Sequence, residues 1–261
     1  MKISGNTILI TGGGSGIGRG LAESFQALGN QVIIAGRRKE LLESVTAKNP
    51  GMKSVVLDVD DRAGFKAFAG RISAQFPALN VLINNAGIMK GEDLTHSPPD
   101  TSIAEQTLRT NLLGPIALTA ELLPQLTQQP FAAVMMVSSG LAFMPLAMTP
   151  TYCATKAAIH SYAQSLRFQL RDTRVEVLEL VPPYVATELM GPHQAHDPQA
   201  MPLPEFIAEV MQILKTQPGA AEICVKRVHP LRFAEAQGAD KYTEQFRAFN
   251  QFAAAAFKTG G

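Results

Sequence analysis

Residues 7–18 read Thr-Ile-Leu-Ile-Thr-Gly-Gly-Gly-Ser-Gly-Ile-Gly and join a short apolar run to a cluster of glycines. The apolar run is rich in β-branched residues, as is typical of a strand buried on both faces of a parallel sheet. Behind the glycines, apolar residues recur with helical spacing as far as Gly29 and Asn30, where a helix C-terminus is expected. This order predicts a strand, a tight turn and a helix whose N–H groups can face a diphosphate.

The glycine turn fits one dinucleotide-binding pattern and departs from another. The pattern Gly-x-Gly-x-x-Gly fails, because Ile17 stands where the glycine after Gly12 and Gly14 is needed. The looser pattern Thr-Gly-x-x-x-Gly-Ile-Gly fits; an ordinary strand-to-helix turn is the alternative. The candidate cofactor-binding residues of the turn are Gly12, Ser15, Gly16, Ile17 and Gly18.

The composition predicts a soluble globular protein. The chain has 261 residues, of which 46% are hydrophobic and 17% charged, and its net charge is +1. Neither nucleic acid nor a membrane is expected as a partner at this charge. Cys153 and Cys224 lack the spacing of a zinc site or a disulfide framework, which favours a cytoplasmic location. No repeat or linker divides the chain, so residues 1–261 are expected to form a single domain.

The second predicted strand, residues 31–35, ends at Gly36, Arg37 and Arg38. In a dinucleotide-binding sheet, a carboxylate here accepts hydrogen bonds from a free ribose 2′-hydroxyl, whereas an arginine accommodates a 2′-phosphate. The sequence has no carboxylate at this position, and Arg37 offers a planar guanidinium that suits phosphate. NADP(H) is therefore favoured over NAD(H), with Arg37 and Arg38 as candidate binding residues; the alternative is that both are solvated loop residues.

Two further strands are predicted to end in residues that suit a ligand at the edge of the sheet. Residues 54–58 are followed by Val59, and Asp58 either accepts a hydrogen bond from adenine or caps the next helix. Residues 81–83 precede a run whose small and amide side chains let the backbone approach a ligand. This run is Asn84, Asn85, Ala86 and Gly87.

The alternation of strands and helices predicts an α/β fold. We expect a single-domain, Rossmann-like, doubly wound parallel sheet of about seven strands with helices on both faces. The later strands are predicted at residues 133–137, 175–181 and 222–225. Right-handed crossovers place all the carboxyl ends of the strands on one side of the sheet.

Tyr152 and Lys156 lie four residues apart at the start of a predicted helix, so their side chains share one face. A cation beside a phenol, whose free pKa is about 10, is expected to lower that pKa. Ser139 follows strand 133–137 and can reach the same substrate oxygen as Tyr152. Asn111, beside a Gly-Pro pair in a predicted helix, indicates a kink and a bound water. The alternatives are a surface lysine and a merely solvated asparagine.

These residues together resemble the short-chain dehydrogenase/reductase family, nearly over the whole chain and in the family's order. The resemblance implies that Tyr152 is the catalytic acid/base and that Ser139 orients the substrate carbonyl or hydroxyl. It also implies that Lys156 binds the nicotinamide ribose and lowers the phenol pKa, and that Asn111 holds a water in a proton relay. The remaining residues that carry the resemblance are Thr11 to Gly18, Asp58, Val59, Asn84 to Gly87, and Pro182 to Thr187, among which Pro182, Val185 and Thr187 are candidate nicotinamide-binding residues.

One residue departs from the family pattern. Most members have a glycine where Pro183 stands, and a proline fixes φ and has no N–H, so a local change of pocket shape is expected. Within the family, the pair Gly36-Arg37 and the run Val-Pro-Pro-Tyr are most similar to bacterial oxidoreductases related to DltE.

The last third of the chain is predicted to close the substrate site. Residues 188–204 resemble the family's substrate lid, and His193 and His196 are expected to be solvated, so that no metal is expected. Candidate pocket residues, with a packed core as the alternative, are Met144, Tyr184, Leu189 and Met190. A tail helix at residues 242–257 packs either on the body or on another subunit of a homodimer or homotetramer. Its phenylalanines are Phe246, Phe249, Phe252 and Phe257.

The sequence thus predicts an NADPH-dependent carbonyl reductase, reversible toward alcohol oxidation. It would transfer a hydride between nicotinamide and a ketone, an aldehyde or a secondary alcohol, with Tyr152 as the proton donor or acceptor. The alternatives are an NAD-dependent alcohol dehydrogenase of the same fold and a non-catalytic dinucleotide-binding sensor.

Overall fold

Seven parallel strands form one sheet in the computed structural model, in the order β3-β2-β1-β4-β5-β6-β7. The structure describes residues 1–95 and 100–259, with side chains as far as Ala255. The strands are β1 (Thr7–Thr11), β2 (Gln31–Gly36), β3 (Lys53–Val56), β4 (Leu79–Asn84), β5 (Ala132–Val137), β6 (Val175–Val181) and β7 (Glu222–Cys224). The strand order reverses at β1, which opens a crevice between the carboxyl ends of β1 and β4. The predicted fold class is confirmed.

Helices cover both faces of the sheet. Among the described residues they are α1 (Gly16–Ala27), α2 (Lys39–Lys48), α3 (Phe65–Gln75), α4 (Ser102–Leu108), α5 (Gly114–Thr127), α6 (Pro150–Gln169), α7 (Leu203–Thr216), α8 (His229–Arg232) and α9 (Ala239–Thr259). Helices α1, α2 and α7 pack on one face, and α3, α5 and α6 pack on the other. In this described part of the chain, no helix combines the length and the apolarity that crossing a membrane requires.

The burial of the central strand β1 on both faces explains the apolar run Ile8 to Ile10. Ile8 and Ile10 belong to one core cluster together with Phe25 of α1, whereas Leu9 belongs to the opposite cluster together with Phe65 of α3. Each of these side chains is at most 1% exposed. Burying one such side chain contributes about 1.5–3 kcal/mol, so both faces of β1 hold the sheet to its helices.

Strand β3 ends two residues earlier than the sequence predicts. It stops at Val56, and the Asp58 carboxylate accepts a hydrogen bond of 3.0 Å from the Asp60 N–H. A side chain that bonds to the backbone two residues on favours a turn over a strand. The predicted strand end at Asp58 is therefore wrong.

A π-helical turn interrupts the helical segment that contains Asn111. This turn, Arg109–Leu113, separates α4 from α5, and Pro115, the second residue of α5, has no N–H to donate. Asn111 lies in this turn and is 1% exposed, so it is not a solvated asparagine.

The tail helix α9 packs on the body of the same chain. Phe249 and Ala253 contact a small apolar cluster that contains Tyr152. The Asn250 amide accepts a hydrogen bond of 2.6 Å from the Ala147 N–H and donates one of 3.1 Å to the Pro145 carbonyl. Phe252 is exposed; the side chain of the predicted Phe257 lies outside the described residues.

Candidate active site

The ends of β1 and β4 are tied together across the crevice. The Thr11 hydroxyl accepts hydrogen bonds from the N–H groups of Asn85 (3.0 Å) and Ala86 (3.1 Å), and the Asn85 amide donates to the Thr11 carbonyl at 3.0 Å. Gly12 has φ +69°, and a Cβ there would lie 2.9 Å from the Asn85 amide nitrogen. Only glycine meets both conditions, so Gly12 sets the path of the turn.

The first turn of α1 offers unpaired N–H groups to a ligand. Ser15 occupies the N-cap position in an extended conformation, but its side chain makes no capping hydrogen bond. Uncapped N–H groups at the positive end of a 12-residue helix are suited to an anion. They border a cleft of ≈ 820 Å³, a volume in the range of cofactor sites.

Most of the predicted site residues line this one cleft. Those on its wall are Gly12, Ser15, Gly16, Ile17, Arg37, Arg38, Val59, Asn85, Ala86, Gly87, Ser139, Tyr152, Lys156, Pro182, Val185 and Thr187. Gly18, Asp58 and Asn111 do not line it. Asp58 instead accepts a hydrogen bond in the turn after β3, and Asp61, not Asp58, caps the following 3₁₀ turn, so the capping alternative for Asp58 is wrong.

Gly18 stands behind the wall and allows close packing. A Cβ at this position would lie 2.4 Å from the Gly12 carbonyl oxygen and 2.4 Å from the Asn85 amide nitrogen. Its role is therefore to let α1 approach the strand ends, rather than to contact a ligand directly.

Three guanidinium groups gather at the end of the cleft beside β2. Arg38 donates a hydrogen bond of 3.2 Å to the Ser15 hydroxyl, and Arg37 lies 4.0 Å from the Asp60 carboxylate with half of its side chain exposed. Arg19, which sequence reasoning missed, also lines the cleft and pairs with Glu23 at 2.8 Å. The guanidinium groups at this end of the cleft suit an anionic group of a ligand.

At the other end of the cleft, Ser139, Tyr152 and Lys156 come together and are 7%, 6% and 5% exposed. Lys156 donates a hydrogen bond of 2.8 Å to the Val137 carbonyl, and its Nζ atom lies 5.5 Å from the centre of the Tyr152 ring. The Leu141 N–H donates to the Ser139 hydroxyl at 3.1 Å, which fixes the serine at the start of a short turn. Burial excludes the alternative of a surface lysine.

The pKa of Tyr152 does not shift as the sequence predicts. Burial raises this pKa above its ordinary value, although a hydrogen bond with the Ser139 side chain opposes the shift. Burial also lowers the pKa of Lys156 to about 8, while the charge of Glu179 acts in the opposite direction. The predicted lowering of the phenol pKa is therefore wrong for this structure, because desolvation by burial outweighs the hydrogen bond with Ser139 that acts against it.

Asn111 supports the loop after β4. Its side chain accepts a hydrogen bond of 2.8 Å from the Ile88 N–H and donates one of 2.8 Å to the Ile88 carbonyl. A Cβ on Gly87 would lie 3.3 Å from the Asn111 oxygen and 3.8 Å from Lys156 Nζ. Asn111 thus lies behind Gly87, close to the lysine but outside the cleft wall.

The helix that carries Tyr152 and Lys156 is capped from a distant part of the chain. The Glu92 carboxylate accepts hydrogen bonds from the Thr151 N–H (3.0 Å) and the Thr151 hydroxyl (2.7 Å). The N-cap residue Thr149 makes no side-chain capping bond. Sequence reasoning missed Glu92, because nothing local indicates which acidic residue will reach a helix start 59 residues away.

The predicted lid contains a short 3₁₀ turn, Pro192–His196, fixed by Gln194. This buried glutamine donates to the Val185 carbonyl (2.8 Å) and the Thr187 hydroxyl (3.2 Å), and accepts from the Met190 N–H (2.9 Å). His193 and His196 are exposed, as predicted. Gln194 also lines the cleft and was missed by sequence reasoning, since a glutamine in a polar segment carries no signal.

The four candidate pocket residues have different surroundings. Leu189 lines the cleft, and Met190 packs against the apolar cluster around Tyr152. Met144 is 2% exposed and does not line the cleft, which agrees with the packed-core alternative. Tyr184 donates a hydrogen bond of 3.0 Å to Asp197 and also does not line the cleft.

The sequence of this chain is similar to those of known oxidoreductases. The profile of the short chain dehydrogenase family matches residues 6–198. The uncharacterized oxidoreductase DltE of Bacillus subtilis is 41% identical over 250 residues, which cover 94% of this chain and 98% of that protein. The predicted similarity to DltE-related proteins is confirmed.

Solved structures share the fold over almost the whole chain. A short chain dehydrogenase from Burkholderia cenocepacia, in complex with NADP, superposes with a TM-score of 0.80 at 25% identity, covering 95% of this chain and 98% of that one. A serine dehydrogenase complexed with NADP⁺ superposes with a TM-score of 0.74 at 26% identity, covering 83% and 92%.

Proposed function

The chain belongs to the short-chain dehydrogenase family, and from that premise we propose that it is an NADPH-dependent carbonyl reductase, reversible toward alcohol oxidation. The observation that carries the proposal is the convergence of Ser139, Tyr152 and Lys156 on the cleft that the glycine turn borders. A hydroxyl, a phenol and an ammonium in one water-poor site suit proton transfer to a carbonyl oxygen.

The cleft fits a dinucleotide along its length. The uncapped start of α1 would hold the diphosphate, and Arg37 and Arg38 would hold a 2′-phosphate. Lys156 and Thr187 would contact the nicotinamide half, and when bound the nicotinamide supplies the hydride chemistry.

The protein's own part in the reaction is to position the substrate and move a proton. Tyr152 would donate its phenol proton to the substrate oxygen during reduction and accept it back during oxidation. The Ser139 hydroxyl would donate a hydrogen bond to the same oxygen and stabilise the developing negative charge. The raised phenol pKa keeps Tyr152 protonated at neutral pH, which is the form that reduction needs. Asn111 would hold the loop of Gly87 and Ile88 in place beside Lys156 through its hydrogen bonds with Ile88.

A substrate panel tests the proposed reaction. Ketones, aldehydes and the matching alcohols are mixed with the protein, and NADPH oxidation or NADP⁺ reduction is followed by absorbance at increasing protein concentration. We expect turnover with at least one carbonyl compound, and faster turnover with NADPH than with NADH. A protein that binds NADPH but reduces no member of a broad panel would contradict the enzyme and favour the sensor.

Replacing Arg37 with alanine tests the cofactor preference. We expect NADPH affinity to fall about tenfold, the scale of a lost hydrogen bond to a charged group, with NADH affinity unchanged. Arg62→Ala is the matched control, because this exposed arginine does not line the cleft. Calorimetric titration with both cofactors measures the difference, and unchanged NADPH affinity in Arg37→Ala would contradict the phosphate assignment.

The proposal extends to the surroundings of the enzyme. Segment 188–204 would act as the substrate lid, since Leu189 and Gln194 line the cleft. A homodimer or homotetramer would form through α4, α5, the π-helical turn between them, and α6, where Leu108, Leu113 and Phe168 are exposed apolar side chains. A monomer mass by light scattering would contradict this. A cytoplasmic location is proposed because both cysteines are free thiols.

A further inference from the structure

A buried carboxylate lies beside the proposed catalytic residues but takes no part in the proposed proton transfer. Glu179, in β6, is 0% exposed. It accepts a hydrogen bond of 2.5 Å from the Ser138 hydroxyl, and its second oxygen lies 2.7 Å from Nδ1 of His160. A buried carboxylate without partners would strongly destabilise the folded protein. The hydrogen bonds with Ser138 and His160 offset the cost of burying Glu179.

The first contact of Glu179 fixes the end of β5. Ser138 lies between Val137, whose carbonyl accepts the hydrogen bond from Lys156, and Ser139. A hydroxyl held at 2.5 Å restricts the peptide units on both sides of it. The carboxylate therefore positions two of the three proposed catalytic side chains without touching the substrate oxygen.

The second contact ties this strand end to the catalytic helix. His160 lies on α6, four residues after Lys156 and eight after Tyr152. The Gln164 amide lies 2.9 Å from the other ring nitrogen of His160, Nε2. Because a carboxylate can only accept, His160 Nδ1 donates the hydrogen bond to Glu179.

Each of the two carboxylates in this region, Glu179 and Glu222, has a cationic partner. Arg232 donates two hydrogen bonds, of 2.6 and 2.9 Å, to the neighbouring carboxylate Glu222. The negative charge of Glu179 compensates the positive charge of Lys156. It raises the pKa of Lys156, whereas burial lowers it. The charged and titratable groups that face Glu179 or Glu222 are Lys156, His160 and Arg167 from α6, Cys224 from β7 and Arg232 from α8.

The two carboxylates and the histidine of this region are residue types that can bind a metal ion, but their ligand atoms are already hydrogen-bonded to other side chains. His160, Glu179 and Glu222 offer ligand atoms that lie within 4.8 Å of one another. Nδ1 of His160 is used by Glu179, and both oxygens of Glu222 are used by Arg232. These contacts favour a hydrogen-bonded, charge-compensated network over a cation site.

We propose that Glu179 is a positioning residue of the active site: it fixes the end of β5 through Ser138, ties it to α6 through His160, and stabilises the Lys156 ammonium by its buried charge. The inference rests on the proposed function, because the lysine and the serine derive their importance from that reaction.

Replacing Glu179 with glutamine separates its charge from its hydrogen bonds. The amide oxygen can accept from His160 and the amide nitrogen can donate to Ser138, so both contacts can persist, the one with Ser138 in the reverse direction, while the charge is lost. We expect the pKa of Lys156 to fall by about one pH unit, and the alkaline loss of kcat to move to lower pH by the same amount. Carbon-13 NMR of protein labelled at lysine Cε measures this pKa, with Lys156→Arg to assign the signal.

The matched control is Glu176→Gln, which makes the same charge change on the same strand at an exposed side chain. We expect it to leave the Lys156 titration unchanged. A folded Glu179→Gln protein with the wild-type Lys156 pKa would overturn the electrostatic part of the proposal. The titration needs no turnover, so a wild-type protein without reductase activity contradicts the proposed function and leaves this test intact.

Two substitutions of His160 test the link to the helix. His160→Asn can still donate from near the Nδ1 position, whereas His160→Leu cannot. We expect His160→Leu to lower kcat about tenfold with little change in the KM for NADPH, and His160→Asn to restore most of the rate. Equal kcat values for the two variants, with both folded by circular dichroism, would overturn the positioning role of this hydrogen bond.

Discussion

Replacing Tyr152 with phenylalanine is expected to lower the rate of carbonyl reduction by about 10² or more, the usual effect of losing a general acid. The change removes one oxygen from a side chain that is 6% exposed and keeps the ring that packs in the apolar cluster with Met89 and Cys153. Binding of NADPH should therefore stay within about twofold of wild type, since the cluster and the glycine turn are undisturbed. Steady-state kinetics and calorimetric titration measure the two effects separately.

Tyr162→Phe provides the matched control for this substitution. Tyr162 lies on the same helix α6, is half-buried, packs against the core cluster that contains Ile159, and does not line the cleft. Removing its hydroxyl should leave the reduction rate unchanged. If Tyr152→Phe retains wild-type turnover, the proton must come from another group, and the role of Tyr152 is lost.

The pH dependence of reduction follows from the two shifted groups at the site. Because burial raises the pKa of Tyr152, the phenol should remain protonated across neutral and mildly alkaline pH. Lys156, with a pKa lowered to about 8, loses its charge first as the pH rises. We therefore expect a fall in kcat that begins at a pH below the range in which phenols lose their proton. This fall would report the deprotonation of Lys156 and not of Tyr152.

The sequence predicts the parts of this molecule that depend on local spacing. The run Ile8 to Ile10 in β1 is apolar because both faces of the strand are buried, and the glycines behind it permit the tight turn. Tyr152 and Lys156 could be placed on one helix face from their separation alone. These features depend on a few residues that are close in sequence, so they can be predicted without knowledge of the fold.

The sequence does not predict features that depend on distant pairs. Glu179 stands among apolar strand residues, and only the fold shows that Ser138 and His160, 41 and 19 residues away, meet its carboxylate. The direction of the Tyr152 pKa shift was predicted wrongly for a related reason. Spacing reveals the neighbouring cation, whereas the opposing desolvation depends on how completely the folded chain covers the phenol.

Gly18→Ala is expected to weaken NADPH binding about tenfold or more and to lower the free energy of unfolding by about 1–3 kcal/mol. Gly18 does not line the cleft, so both effects must arise from packing. The added Cβ would lie 2.4 Å from the Gly12 carbonyl oxygen, a backbone atom that cannot rotate away. Helix α1 must therefore shift, and its uncapped N–H groups move relative to the turn that would hold the diphosphate.

Gly70→Ala is the matched control for Gly18→Ala, because Gly70 lies within helix α3, is exposed, and has no atom within 4 Å of its added Cβ. Alanine forms helices better than glycine by about 1 kcal/mol, so this variant should be as stable as wild type or more so and should bind NADPH normally. Thermal unfolding and calorimetric titration of both variants compare the effect of the same added methyl group at a tightly packed position, Gly18, and at an unobstructed one, Gly70. Wild-type stability and NADPH affinity in Gly18→Ala would mean that α1 does not need this close approach, and the diphosphate site at its N-terminus would lose its structural basis.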